Sequence, residues 1–167
     1  MSDHRSIEKL AANHDIAAFT SGEAALDQFL HRHALGNQSA GSAQTYVATE
    51  NGRVIGYYTL SVGQVAHENA AVRIARGMPR YPIPVMLLAR LAIATDRQGI
   101  GLGPGLLKDA LLRTVSAAEI AGIRAMLVHA KNERAKGFYE HFGFTASPTD
   151  PLHLYLLLKD AKKMLDL

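Results

Sequence analysis

The chain has 167 residues, of which 48% are hydrophobic and 20% are charged, proportions typical of a globular domain with a buried core. It contains no cysteine, which excludes disulfide bonds, a thiolate nucleophile and cysteine-ligated zinc. The net charge of +3 favours an anionic partner such as a phosphate cofactor or a nucleic acid. No apolar run approaches the length of about 20 residues that spans a membrane, so we expect one cytoplasmic domain over residues 1–167, with no membrane partner.

The N-terminal segment is predicted to form a strand and a helix. Residues 6–10 (SIEKL) favour a short strand. Apolar residues recur at helical spacing over residues 21–35, which predicts a helix with Ser21 as its N-cap. The small and polar segment 36–43 (GNQSAGSA) predicts a loop.

A β-hairpin and an irregular segment are predicted next. Two runs rich in β-favouring residues between Gln44 and Val65 flank Asn51-Gly52, a strong hairpin signal. Residues 70–84 carry spaced prolines and arginines and predict an irregular excursion with a short helical turn at its start. A strand resumes over residues 85–95.

Alternating helices and strands are predicted for the remainder. One apolar stripe predicts a helix over residues 103–120, and an apolar run predicts a buried strand over residues 123–130. A second helix, capped by Asn132, covers residues 132–142, and a late strand covers residues 152–158. This order predicts an α/β or α+β domain built around a mixed sheet.

The strand at residues 85–95 is followed by four glycines at alternate positions, namely Gly99, Gly101, Gly103 and Gly105. A dinucleotide-binding G-x-G-x-x-G is excluded because Pro104 or Leu106 stands at its last position, and the Gly-Lys-Ser/Thr of a Walker A loop is missing. A helix N-terminus presents unpaired N–H groups and a partial positive charge. The run therefore predicts a pyrophosphate cradle, with a purely structural tight turn as the alternative.

The segment QGIGLG, Gln98 to Gly103, resembles the Q/R-x-x-G-x-G/A signature of the GNAT superfamily of acetyl-CoA-dependent N-acetyltransferases. LARLAIA precedes the signature and NERAKGFYEHFGF follows it downstream. The resemblance implies the GNAT fold, a single domain with a mixed central sheet flanked by helices, and acetyl-CoA as co-substrate without a metal. It implies that backbone amides of the signature bind the pyrophosphate and that the preceding strand pairs with pantetheine. The implied cofactor-binding residues are Leu91, Ala92, Ile93, Gln98, Gly99, Ile100, Gly101, Leu102, Gly103, Pro104, Asn132 and Tyr139.

Pro104 departs from the commonest form of the signature because it has no N–H. Proline suits the first turn of a helix, but it removes one possible phosphate donor. We expect either that Gly103 and Gly105 carry more of that contact or that the affinity is slightly weaker.

Tyr139 is the candidate catalytic residue. By the resemblance it lies near the thiol, where it would protonate the departing CoA thiolate as a general acid, and the N–H of Ile93 would polarise the thioester carbonyl. The alternative is that Tyr139 is a core aromatic beside Phe138 and Phe142.

Longer matches across the chain, including RGMPRYPIPVMLLARLAI, resemble GNAT toxins of bacterial type II toxin–antitoxin modules. These toxins acetylate the amino group of aminoacyl-tRNA and block translation, and glycyl-tRNA is the favoured substrate. The resemblance also implies a homodimer and a ribbon-helix-helix antitoxin. One alternative is a GNAT enzyme that acts on a small amine, a peptide or a protein N-terminus. A second is a binding module that holds a CoA-like ligand or RNA without turnover.

A cluster of arginines before the glycine run is the candidate tRNA contact. Between Arg73 and Arg97 the only acidic residue is Asp96, and arginine suits phosphate contacts. With the resemblance to GNAT toxins, this predicts Arg73, Arg76, Arg80 and Arg90 as nucleic-acid-binding residues; the alternative is a solvated basic face. Three histidines, His129, His141 and His153, are interpreted as surface or core residues because no second histidine or carboxylate lies at relay or metal-ligand spacing.

Overall fold

The computed structural model describes residues 5–167 and contains seven strands and six α-helices in that range. The strands are β1 (Arg5–Lys9), β2 (Gln44–Glu50), β3 (Arg53–Val65), β4 (Ile83–Ile93), β5 (Ala125–His129), β6 (Thr145–Ala146) and β7 (His153–Leu157). The helices are α1 (Ala24–Gln28), α2 (Ala34–Ser39), α3 (Val72–Ala75), α4 (Leu102–Ala118), α5 (Glu133–His141) and α6 (Leu158–Met164). The strands form one sheet in the order β1-β2-β3-β4-β5-β7-β6. Strands β4 and β5 pair in parallel while β5 and β7 pair antiparallel, so the sheet is mixed, as predicted.

Contacts within the chain group the residues into two units. Unit 1 consists of the described residues up to Ser61 together with Ala89–Ala110, and unit 2 consists of Val62–Leu88 and Leu111–Leu167. The expectation of a single domain over residues 1–167 stays a prediction.

Unit 1 contains the predicted hairpin, in which Asn51 (φ 53°) and Gly52 (φ 84°) both have a positive φ. Such a pair matches the right-handed twist of the flanking strands. The rings of Phe29 and Tyr57 stack with centroids 6.2 Å apart in the core of this unit. That core also contains Ala92, so packing fixes part of β4 in unit 1.

Two local predictions in unit 1 were wrong. The N-cap of α1 is Glu23, not Ser21, because the Ser21 hydroxyl accepts the Glu23 amide at 3.2 Å and donates to Asp27 at 2.7 Å in a turn before the helix. Part of the predicted loop 36–43 is helical, since α2 ends only at Ser39. Gln38 explains this extension: its side chain donates to the Leu10 carbonyl at 2.8 Å and accepts the Thr45 amide at 3.0 Å.

Unit 2 places α3 on strands β5 and β7. Ile74 of α3 is 1% exposed and belongs to the same core as Leu127 and Tyr155. The Arg124 guanidinium donates to the carbonyls of Ile74 at 3.1 Å and Arg76 at 3.0 Å, which satisfies orphan carbonyls at the end of the helix. Strand β6 and helix α6 were absent from the sequence prediction. Within residues 5–167, no helix has the length and apolar composition needed to cross a bilayer.

Candidate active site

Strand β4 has an edge that extends past its partner β5. The parallel ladder pairs Val85–Leu88 with Ala125–Val128 and goes no further, whereas β4 continues to Ile93. The Ala94 amide donates to the Ile55 carbonyl of β3 at 2.9 Å. Because successive backbone groups in a strand point to opposite edges, the amide of Ile93 points away from β3. The end of β4 therefore offers an edge for an extended ligand.

The glycine run has two different roles in the structure. Gly99 (φ 79°) and Gly101 (φ 88°) adopt conformations that favour glycine, and a Cβ on either would meet no atom within 4 Å. Conformation rather than crowding thus requires glycine in this turn. Gly103 and Gly105 lie inside α4, which begins at Leu102.

The first turn of α4 determines which backbone amides remain available. The Gly105 amide donates to the Gly101 carbonyl at 3.3 Å, so the expectation that Gly105 contributes to phosphate binding was wrong. Helix geometry leaves the amides of Leu102 and Gly103 without intrahelical acceptors. Pro104 occupies the same turn, where its missing N–H removes no helical hydrogen bond. These open amides at a helix N-terminus fit a pyrophosphate in chemistry and charge.

The side chain of Gln98 holds the glycine turn against its surroundings. Its amide nitrogen donates to the carbonyls of Ser21 and Ile93, both at 3.0 Å. Both N–H groups of the Gln98 side-chain amide are thus used within the protein.

Ion pairs fix the short 3-10 turn Thr95–Arg97 that precedes the glycines. Asp96 accepts from Arg53 at 2.8 Å, and Arg97 donates to Glu50 at 2.6 Å. Hydrogen bonds from Arg97 and then Arg5 lower the pKa of Glu50 from 4.5 to about 2. The turn is thereby linked to the β2–β3 hairpin.

Helix α5 and its N-cap contain the two predicted cofactor-binding residues that lie in unit 2. Asn132 is its N-cap, as predicted, and its side-chain oxygen accepts the Ala135 amide at 2.9 Å. Tyr139 is 7% exposed and packs edge-to-face against Phe138 and Phe144, with centroids 5.0 and 5.4 Å away. Burial alone raises the pKa of Tyr139, and among residues 5–167 its hydroxyl has no hydrogen-bond partner. Tyr139 thus packs as a core residue and keeps a protonated, unused hydroxyl.

Three of the four predicted nucleic-acid-binding arginines lie in unit 2. Arg73 and Arg76 line a cavity of about 230 Å³ together with Arg124 and Lys159, which sequence spacing did not indicate. Arg76 and Arg80 line a wider groove of about 590 Å³, which we call the cationic groove and which is also lined by His67, Glu68, Ala70, Val72, Ala75, Gly77, Met78 and Pro148.

Two of the arginines have partners that the sequence did not reveal. Asp160 of α6 forms a bidentate ion pair with Arg73, so Asp96 is not the only acidic residue near the arginine cluster. Arg90 lies in unit 1, where its guanidinium carbon is 3.7 Å from the centroid of the Phe29 ring. Arg90 therefore does not line the cavity that contains Arg73 and Arg76.

Two of the three histidines are partners in the structure. His129 of β5 and His153 of β7 are opposite one another in the antiparallel ladder, with stacked rings whose centroids are 3.9 Å apart. Asp150 lies 3.3 Å from His153. His129 is exposed and His153 is partly exposed, which agrees with the interpretation that they are surface residues. Strand pairing nevertheless gives His129 a histidine partner that sequence spacing did not indicate, while Asp150 lies only three residues before His153. Among the described residues, no group of three or more His, Cys, Asp or Glu side chains is arranged to hold a metal ion.

Comparison with known proteins identifies the family. The protein-family model described as an acetyltransferase (GNAT) domain matches residues 41–146 of the chain. This chain belongs to the GNAT acetyltransferase family. The match contains β4, the glycine turn, α4 and both site residues of α5, so the predicted fold and the acetyl-CoA-dependent acetyltransferase activity are confirmed.

Individual GNAT proteins are similar over almost the whole chain. A tRNA-acetylating toxin of Mycobacterium tuberculosis is 47% identical over 165 residues, which cover 99% of this chain and 99% of the toxin. The structure of AtaT complexed with acetyl-methionyl-tRNAfMet has a TM-score of 0.90 at 29% identity, with 97% and 99% of the two chains covered. A tyrosine-to-phenylalanine mutant of AtaT, bound to the C-terminus of the antitoxin AtaR and acetyl-CoA, has a TM-score of 0.84 at 29% identity, with 98% and 99% covered. The predicted resemblance to GNAT toxins is confirmed.

Proposed function

We propose that this GNAT protein is a toxin that transfers the acetyl group of acetyl-CoA to the α-amino group of aminoacyl-tRNA and so blocks translation. The observation that carries the proposal is the 47% identity, over 99% of the chain, to a tRNA-acetylating toxin. Glycyl-tRNA is the substrate we favour. We also propose a cytoplasmic location, because aminoacyl-tRNA is used there.

For the acetyl donor, the glycine turn and the β4 edge supply backbone contacts. The amides of Leu102 and Gly103 at the start of α4 would bind the pyrophosphate, with the positive φ of Gly99 and Gly101 shaping the turn. The outward amide of Ile93 would polarise the thioester carbonyl and stabilise the oxyanion that forms on it. These roles rely on backbone groups.

For the leaving group, Tyr139 is the proposed general acid. Its raised pKa keeps the hydroxyl protonated at neutral pH, and no neighbour among residues 5–167 uses that proton. The α-amine of the acceptor has a pKa of about 8, so a useful neutral fraction exists near pH 7. The amine attacks the thioester carbonyl, the C–S bond breaks, and Tyr139 protonates the thiolate.

For the tRNA, we propose Arg73, Arg76, Arg80 and Arg90 as phosphate contacts. Arg76 and Arg80 of the cationic groove are exposed, as phosphate binding requires. Asp160 offsets the charge of Arg73, so we expect its contribution to be the smallest within unit 2. Arg90 would act from the Phe29 ring on which it stacks.

We further propose that the protein forms a homodimer and binds an antitoxin with a ribbon-helix-helix domain. The AtaT structure that contains the C-terminus of the antitoxin AtaR supports an antitoxin partner, whereas the homodimer and the ribbon-helix-helix domain are expectations from the resemblance to GNAT toxins. Size-exclusion chromatography with light scattering, alone and after co-expression with the adjacent reading frame, tests both points.

The transfer assay uses radiolabelled acetyl-CoA with three acceptors: a charged tRNA pool, the same pool after deacylation, and short peptides. We expect label only on charged tRNA. Label only on peptides would instead support a GNAT enzyme acting on N-termini, and separate assays of single aminoacyl-tRNAs test the preference for glycine.

The role of Tyr139 is tested by Tyr139→Phe, with Tyr46→Phe as control. We expect Tyr139→Phe to lower kcat by about 10²-fold or more while acetyl-CoA binding and the melting temperature change little. Unchanged kcat would exclude Tyr139 as the general acid without affecting the proposed substrate.

A further inference from the structure

Unit 2 contains a polar cavity of about 390 Å³ near the end of β5, a volume within the range of small-ligand sites. We call it the His129 cavity. Its lining residues are Gln64, Val65, Ala66, Asn69, Leu127, His129, Thr149, Asp150, His153 and Tyr155. His129 directly follows Val128, the last β5 residue paired with β4. The cavity therefore opens where the β4–β5 ladder ends.

The charge of this cavity differs from that of the neighbouring groove. Asp150 is its single carboxylate, and the lining contains neither lysine nor arginine. A phosphate would find no permanent cation there, whereas an ammonium group would find a carboxylate and two imidazoles. The lining thus suits a primary ammonium group.

The stacking of the two imidazoles favours a neutral His129 ring. Two rings with centroids 3.9 Å apart disfavour simultaneous protonation because like charges repel at that distance. Burial, and then the proximity of His153, lower the pKa of His129. Among the described residues, no hydrogen bond engages the His129 ring, so a neutral ring nitrogen can accept a proton.

Hydrogen bonds hold the wall of the cavity in place. Asp150 accepts the Leu152 amide at 2.9 Å, and the Thr149 hydroxyl donates to the side-chain oxygen of Asn69 at 3.1 Å. The Ser147 hydroxyl donates to the Asn69 carbonyl at 2.7 Å. The site is therefore formed before a ligand arrives.

The His129 cavity and the cationic groove border the same two segments of unit 2. His67 and Glu68 line the groove while Ala66 and Asn69 line the cavity. Pro148 likewise lines the groove, and the next residue, Thr149, lines the cavity. A polyanion with an amine at its end would meet cations first and the carboxylate–imidazole cavity next.

We propose that the His129 cavity binds the amino group of the acceptor and that His129 is the general base that removes its proton. The inference rests on the proposed function, because aminoacyl-tRNA has the required chemistry: a polyanionic body and a terminal α-ammonium group. His153 and Asp150 are positioning residues that act through His129.

The proposed step conserves atoms and charge. The ammonium group gives one proton to His129, which releases it to water. The neutral nitrogen then forms a bond to the thioester carbonyl carbon, the C–S bond breaks, and the thiolate receives one proton. The nitrogen loses its second proton as the amide forms, so each transfer releases one net proton.

The pH profile of transfer is the decisive measurement. The titratable groups that face His129 in the cavity are His153, Asp150 and Tyr155. If His129 is the general base, kcat/KM of the wild type for aminoacyl-tRNA stays high as the pH falls below about 8, the pKa of the amine. It decreases only when the pH reaches the pKa of His129, which lies below its ordinary value. His129→Gln keeps the side-chain polarity but cannot accept the proton, so its kcat/KM should fall about tenfold per pH unit below about pH 8.

The experiment measures initial rates between pH 6 and 9 for the wild type, His129→Gln and His31→Gln. His31 is exposed and lies in unit 1, so its variant should follow the wild type. His153→Gln is the second test: removal of the neighbouring charge should raise the pKa of His129 and move the acid limb of the profile to higher pH. Acetyl-CoA binding and melting temperature check that each variant is folded.

The failures of the two proposals are distinguishable. A wild type that labels no aminoacyl-tRNA overturns the proposed function and this inference with it. A wild type that is active, combined with a His129→Gln profile superimposable on it, overturns only the role of His129. If His129→Gln does not fold, an unmoved acid limb in His153→Gln has the same consequence.

Discussion

Gly56 of β3 is the position where adding one methyl group would disturb the β4 edge. A Cβ there would lie 3.0 Å from Cδ1 of Leu106, 3.3 Å from the carbonyl oxygen of Ala92 and 3.3 Å from Cδ1 of Ile93. Leu106 is 0% exposed, so its side chain has little room to withdraw. Gly56→Ala must therefore move β4, including residues predicted to bind pantetheine.

The expected cost follows from overpacking. Extra methyl groups in packed cores cost about 1–3 kcal/mol, while replacing glycine by alanine recovers about 0.4–1 kcal/mol by restricting the unfolded chain. With the middle of each range, about 2 and about 0.7 kcal/mol, the net loss is about 1.3 kcal/mol. For a chain of this size each kcal/mol corresponds to about 2–4 °C, so the melting temperature should fall by about 3–5 °C.

Gly63→Ala is the matched control in the same strand. Its Cβ would approach only Val85, at 3.9 Å, so the entropic term alone predicts stabilisation by about 0.4–1 kcal/mol. Differential scanning calorimetry of both variants, with acetyl-CoA titrations, tests the difference. Gly56→Ala should bind acetyl-CoA severalfold more weakly, and a Gly56→Ala variant as stable as Gly63→Ala would refute the close packing of β3 on β4.

Three further predictions concern the glycine turn, an ion pair and a helix cap. Gly101→Ala should lower stability by about 1–2 kcal/mol through its positive φ, whereas Gly105→Ala should raise it by up to about 1 kcal/mol; calorimetry measures both. Because the pKa of Glu50 is lowered from 4.5 to about 2, its ion pairs stabilise the fold fully at pH values above 4.5. This stabilisation is lost as the pH falls from 4.5 towards about 2, so the melting temperatures of the wild type and Glu50→Gln should converge over that range. Asn132→Ala should cost about 1 kcal/mol by removing the cap of α5, while Asn132→Asp should keep most of it.

Each of these predictions has an outcome that contradicts it. Equal effects of the Gly101 and Gly105 substitutions would mean that conformation does not distinguish the two positions. A constant gap between wild type and Glu50→Gln from pH 7 to pH 2 would exclude the ion pair as its source. Full stability of Asn132→Ala would show that the cap bond is dispensable.

Much of the fold could be predicted from the sequence because several helices and strands have strong local sequence patterns. Asn51-Gly52 marked the hairpin, the stripe around Leu106 marked α4, and Asn132 marked the start of α5, each through preferences of a few neighbouring residues. Helix α2 was extended beyond its predicted end by Gln38, whose bonds reach Leu10, 28 residues away. Such distant contacts override local propensity.

The candidate active site likewise has features that local sequence predicts and features that depend on distant contacts. By itself, the sequence determined the chemistry of the glycine turn, because a strand, positive-φ glycines and a helix N-terminus are consecutive along the chain. Only the tertiary structure decided that the Gly105 amide is consumed by the helix, that Asp160 pairs with Arg73 across 87 residues, and that His129 stacks on His153. Cross-strand pairing and helix packing bring together residues whose separation in sequence follows no regular spacing. Those partners can therefore be identified only from the tertiary structure.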